Sequence, residues 1–340
     1  MSSADATSSE ALAQAAAAGI HRIPVPTPFA VGRINCYLIE DDPLTLVDTG
    51  PNSGTSFDVL EQGLAELGHK VEEIELIVLT HQHADHMGLV GVLQRRSGAQ
   101  AAAFAPLVQW VGEYPASQAR DDEYAASVMP RHGVPDDLVT ALRAVAGAYR
   151  SFGARGTVEQ PLLDGDALKL RDRTFTICHR PGHSPSDIIL WDESRELILA
   201  GDHLLGHISS NPLISRPLVG ADEEFSRPQP LIDYIASMQA TDLIPSALFL
   251  PGHGDPVVDH HALIAERLHL HERRARKILK MLGEGPLTAH EIATRMWGSI
   301  AMTQTFLTLS EVLGHTDLLL KAGQATELDD GEVVRFAAVS

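Results

Sequence analysis

Cysteine is nearly absent from these 340 residues: Cys36 and Cys178 are the only two. Both lie inside apolar runs, "INCYLI" and "FTICHR", which argues against a disulfide framework and for buried free thiols in a reducing compartment. Long apolar runs are missing as well. No stretch approaches the roughly eighteen apolar residues of a membrane-spanning helix, and the opening "MSSADATSSEALAQAAAAG" has neither the basic start nor the apolar middle of a secretory signal. The sequence therefore reads as cytoplasmic and free of the membrane, with residues 1–21 as a flexible N-terminal arm. Basic residues are the third shortage. Twenty-six Lys and Arg stand against 45 Asp and Glu, a formal net charge of −19. A field of that sign repels nucleic-acid phosphates and anionic membranes unless a local basic patch overrides it.

What is present is an alternation of short apolar runs with helix-like stretches, the texture of a layered α/β protein, over residues 22–260. The runs are "NCYLIED", "LTLVDTG", "ELIVLTH", "AAAFAP", "ALKLRD", "FTICHRPG", "ELILAGD" and "ALFLPGHG". Residues 54–67 and 88–97 carry apolar positions at helical spacing. From about 106 to 160 two or three helices punctuated by Pro and Gly form an insertion suited to a lid or a dimer surface. Residues 261–340 change character. They hold a long helix rich in Arg and Lys, two further helical segments and a hairpin turned at Asp330-Gly331, an order that suggests a small winged-helix-like domain.

Five of the apolar runs end in a potential metal ligand or, as at Asp48, its support. Asp48 follows the second run, His81, His83, Asp85 and His86 the third, His183 the sixth, Asp202 the seventh and His253 the eighth. If these strands run in compatible directions, the groups gather on one edge of the sheets. Five histidines and two aspartates exceed what one four- or five-coordinate ion needs, so two divalent ions are implied, with a carboxylate and a water between them. Such a water ionises near neutral pH while the metals polarise a carbonyl or phosphoryl oxygen, which is hydrolase chemistry.

On these residues the sequence resembles the metallo-β-lactamase superfamily, whose H-x-H-x-D-H signature stands here as His81, His83, Asp85 and His86. Asp48, His183 in "PGHS", Asp202 in "GDH" and His253 in "PGHGD" occur in the family's order. The resemblance implies an αββα sandwich in which His81, His83 and His183 hold one metal, Asp85, His86 and His253 the other, and Asp202 bridges. It gives Asp85 and Asp202 catalytic parts and makes Asp48 an orienting group for a ligand histidine. Zinc is the preferred metal, with iron and manganese compatible. The tail is similar to that of a subgroup of β-lactamase-like proteins that includes an endoribonuclease.

The resulting expectation is a dinuclear metal hydrolase acting through a metal-bridging hydroxide on a small ester, thioester or lactone. Family lactonases resemble a pattern with tyrosine three positions after the bridging aspartate, where this chain has Leu205, so the lactone option is the weakest of the three. His207, Ser209 and Asn211 are candidates to face substrate. Tyr234 reads as packing, Arg131 and His132 as a solvent-facing turn, and the histidines outside the strand ends as surface or packing residues. The competing expectation is a phosphodiester-cleaving enzyme that uses Arg267, Arg273, Arg274, Arg276, Lys277 and Lys280 on the basic helix. Against it, nine Lys and Arg face ten Asp and Glu over residues 262–340. A metal-stabilised regulatory protein is the third reading. The partners expected are a small acyl substrate and a second copy of the chain, with nucleic acid disfavoured.

Overall fold

The computed structural model of the chain describes residues 3–218 and 227–339. Six strands form one mixed sheet in chain order: β1 (Ile20–Val25), β2 (Ile34–Ile39), β3 (Thr45–Val47), β4 (Leu76–Leu79), β5 (Gln100–Phe104) and β6 (Gln160–Leu162). The first three pair antiparallel, and β3 through β6 run parallel. A second sheet has the order β11-β10-β9-β8-β7. It comprises β7 (Ala167–Lys169), β8 (Thr174–His179), β9 (Ile188–Asp192), β10 (Leu197–Gly201) and β11 (Leu248–Pro251), with only β10 and β11 parallel. All eight expected strands form. The alternation missed β1, β6 and β9. Both β1 and β6 are edge strands carrying a proline, Pro24 and Pro161, a residue that blurs a strand pattern and is tolerated at edges.

The two-residue strand period divides each sheet into two apolar faces. Tyr37, Ile39, Val47 and Val78 meet Phe175, Ile177, Leu190 and Leu250 between the sheets. Their neighbours Leu38, Leu46 and Ile77 point the other way, under Leu60 and Leu64 of α2 (Gly54–Glu66) and Leu93 of α4 (Val90–Ser97). On the far side Ile189, Ile198 and Phe249 pack against Leu231 and Met238 of α8 (Pro230–Asp242) and Ile264 of α9 (His260–Leu282). The result is the αββα sandwich that the sequence led us to expect.

The flexible arm is corrected. Its residues from Ser3 form α1 (Ser3–Ala17), with β1 beginning at Ile20. Ala11 and Ala15 are buried in the core between the sheets, because an alanine face lets a helix backbone approach a sheet closely. Arg173, buried and paired with Asp41 at 2.9 Å, donates to the Ala18 carbonyl at 2.8 Å and fixes the end of this segment.

The insertion holds α5 (Leu107–Gly112), α6 (Ala116–Arg131) and α7 (Asp136–Tyr149). The tail continues from α9 through α10 (Ala289–Trp297), α11 (Ile300–Thr303) and α12 (Thr305–Lys321) to the hairpin β12 (Ala325–Asp329) and β13 (Val334–Ala338). These two stretches share one core, in which Val128, Met129 and Val139 meet Ile278, Ile292, Leu309 and Phe336. The solvent-facing turn expected at Arg131 and His132 is corrected accordingly. Arg131 pairs with Asp329 of the hairpin at 2.6 Å, and His132 is buried and stacked on Phe336.

Candidate metal centre

Each expected ligand leaves the carboxyl end of a strand. After β4 come His81 and His83, and the short helix α3 (Ala84–Met87) then presents Asp85 and His86. His183 follows β8, Asp202 follows β10 and His253 follows β11. The seven side chains converge. Metal-ligating atoms of His81, His83 and His183 lie within 4.8 Å of one another, as do those of Asp85, His86 and His253 and those of His81, His86 and Asp202. Asp202 stands between the triads, with Oδ1 3.4 Å from His86 Nε2 and Oδ2 3.6 Å from the Nε2 atoms of both His183 and His253.

Four of the five imidazoles are turned inward by a partner on the outer nitrogen. His86 Nδ1–H donates to Asp48 at 2.8 Å, His183 Nδ1–H to the Asn211 carbonyl at 3.1 Å and His253 Nδ1–H to the Arg33 carbonyl at 2.8 Å. His81 Nδ1 meets the Thr80 hydroxyl at 3.1 Å. Each ring thus presents Nε2 to the centre, the tautomer and orientation a divalent cation requires. Asp48 is itself held by the Thr80 amide and hydroxyl at 2.9 and 2.8 Å, and it adopts a left-handed φ of 58° at the turn after β3.

The donor set fits a cation. His86 Nε2, Asp202 Oδ1 and His253 Nε2 are buried without a hydrogen-bond partner, a costly state that a metal would relieve. His81 Nε2 and His83 Nδ1 approach to 3.0 Å, and His183 Nε2 and His83 Nδ1 to 2.9 Å. Burial holds His81 and His83 well below the ordinary imidazole range, His83 at about 3, so both are neutral and able to ligate. Burial also pushes the Asp202 carboxyl up, but His253, His86 and His183 more than offset it and keep the group ionised. Asp85 is ionised for the same reason, with His86 and His253 prevailing over desolvation.

The residues named for the substrate side fare differently. His207 is exposed, its ring lying against Gly254 beside His253. The Ser209 hydroxyl is buried without a partner. The Asn211 side-chain amide donates to the Leu307 carbonyl of α12 at 3.0 Å, its Oδ1 is buried without a partner, and its backbone carbonyl supports His183. Leu205 is buried, and Tyr234 packs as expected while donating to the His203 carbonyl at 2.8 Å.

Several contributors escaped the sequence reading. Thr80 and Gly252 each stand just before a ligand, where strand-end position was the available signal. A Cβ on Gly252 would lie 2.4 Å from Asp202 Oδ1 and 2.7 Å from His86 Cε1, so only glycine fits. Arg267 was read only as one of the basic residues of its helix, and nothing local signalled an inward role. Buried on α9, it donates to the carbonyls of Leu205, Gly206 and Ile208 at 3.1–3.2 Å and so holds the loop after Asp202. Of the basic residues on that helix, Arg267 and Arg274 therefore turn inward, Arg274 onto Glu311.

The sequence profile of the metallo-beta-lactamase superfamily matches residues 30–278. The chain is 32% identical over 314 residues to the probable metallo-hydrolase YqjP of Bacillus subtilis, covering 92% of this chain and 96% of that protein. It is 23% identical over 284 residues to an atrochrysone carboxyl ACP thioesterase of Aspergillus chevalieri, covering 81% of this chain and 71% of that enzyme. Among solved structures, the metallo-beta-lactamase family protein TTHA1429 from Thermus thermophilus superposes with a TM-score of 0.78 at 26% identity, over 94% of this chain and 99% of that one.

Proposed function

Because the chain belongs to the metallo-beta-lactamase superfamily and is a metallo-hydrolase, we propose that it is a dinuclear enzyme cleaving an acyl thioester, with small esters and lactones as neighbouring substrates. One observation carries this reading: two ligand triads side by side with Asp202 between them. When bound, divalent cations supply a nucleophilic water at neutral pH and polarise the acyl carbonyl. The protein's own part is orientation. Asp48 and Thr80 aim His86, the Asn211 and Arg33 carbonyls aim His183 and His253, and Arg267 keeps the loop after Asp202 in place. Five imidazoles favour zinc, while the carboxylates also suit iron or manganese.

The thioester preference draws on the likeness to a thioesterase over most of the chain, and on buried Leu205, which leaves no phenol at the position lactonases use. Phosphodiester cleavage loses support from the inward Arg267 and Arg274. The test joins metal analysis to a panel of thioesters, esters, lactones and single-stranded RNA. Expected are about two divalent ions held by this centre and turnover of thioesters, the turnover abolished by Asp85→Ala or Asp202→Ala. RNA cleavage with steep salt inhibition would replace this reading with the nuclease, and full turnover in either variant would refute both.

A further inference from the structure

His271, Glu311 and His315 form a second buried group of metal-binding side chains, away from the centre described above. Glu311 and His315 stand four residues apart on α12 and so share a face. His271 meets them from the adjacent α9. A potential ligand atom of each lies within 4.8 Å of the others, and His271 Nδ1 and His315 Nε2 are 3.2 Å apart. All three side chains are buried, at 1%, 6% and 0% exposure in chain order.

One feature of the first centre recurs here. His315 Nδ1–H donates to the Glu311 carbonyl at 2.6 Å, the same outer-nitrogen support that turns His183 and His253 inward. His271 turns Nδ1 toward His315 Nε2, which makes Nδ1 its candidate ligand atom, and its Nε2, on the far side of the ring, is buried without a partner. His132, His203 and His260 also carry a partnerless buried nitrogen, but none of them has two further ligands within reach among the described residues. Arg274 holds one oxygen of Glu311, leaving the other for a ligand bond. Burial pushes His271 down to about 4 and lowers His315 too, so both rings are in the neutral, ligating form.

We propose that His271, Glu311 and His315 bind a structural divalent cation, zinc by their two-imidazole, one-carboxylate donor set, which clamps α9 to α12. The clamp has a purpose that can be read from its neighbours. Arg267, one turn before His271, holds the loop after Asp202, and on α12 the Leu307 carbonyl and Ser310 hydroxyl accept from Asn211 and from the Ile214 amide. The ion therefore stiffens the platform on which the catalytic loop rests.

The test uses the full chain with His83→Ala, Asp85→Ala and Asp202→Ala together, which removes a member from each catalytic triad as well as the residue between them. After zinc loading and desalting, this chain is expected to retain about one zinc, and adding His315→Gln should remove it and abolish the difference in melting temperature between loaded and chelator-treated protein. X-ray absorption of the retained zinc, which needs no further substitution, should report two imidazoles and a carboxylate. A triple variant that retains no zinc, or whose zinc is indifferent to His315→Gln, would overturn the proposal and leave an imidazole–imidazole hydrogen bond. Neither result bears on the thioesterase reading, because the catalytic centre is disabled throughout.

Discussion

The centre depends on single atoms that never touch a ligand's inner face. Asp48 holds the outer nitrogen of His86, and a neutral amide there would accept that proton more weakly while disturbing the bonds from Thr80. Asp48→Asn is expected to weaken metal retention 10–100-fold with the fold intact, as competition against a chromophoric chelator would show. Gly252 acts by having nothing to offer. Gly252→Ala would drive a methyl into Asp202 and His86, and because Gly252 has no left-handed φ to lose, the damage should be local. We expect activity and metal content to fall while circular dichroism stays unchanged. The candidate ligands were legible in the sequence because they are His and Asp standing at strand ends. The supports at Arg33 and Asn211 were not, since a backbone carbonyl looks the same in every residue.

At the scale of elements, periodicity revealed most strands of the two sheets and the helices over them, but missed β9 in the middle of the second sheet and failed where tertiary contacts decide. Nothing in an Ala/Ser-rich opening distinguishes a solvated tail from α1, whose alanines matter only once a sheet lies beneath them. The join between α6 and the hairpin was equally hidden, and His132 makes it sensitive to acid. Burial, followed by Arg227 and Arg131, lowers this imidazole from 6.5 to about 4 in the folded chain. The unfolded chain therefore binds the extra proton first, and stability contributed by the neutral ring is complete above pH 6.5 and lost as pH falls toward 4. His132→Phe, which keeps a ring on Phe336, should remove this dependence. Chemical denaturation at pH 4 and pH 7 should show the variant losing up to about 3 kcal/mol less than the wild type between the two.

For the whole molecule, net charge makes a prediction that a list of site residues cannot. A chain at −19 repels a polyanionic substrate such as an acyl-coenzyme A thioester, and salt screens that repulsion. kcat/KM should thus rise with ionic strength for coenzyme A thioesters and stay flat for an uncharged thioester of the same acyl group. A steep fall for the charged substrate would mean that a local basic patch governs binding. The helical body assembled from the insertion and the tail sets a further constraint. Since Val128 and Met129 come from before the second sheet while Ile278, Leu309 and Phe336 come from after it, a hybrid enzyme that inherited its ending from one parent and its middle from another would mismatch inside that body. The same helices anchor the loop after Asp202, so the mismatch would reach the reacting groups, and recombination must exchange the two distant stretches as a pair.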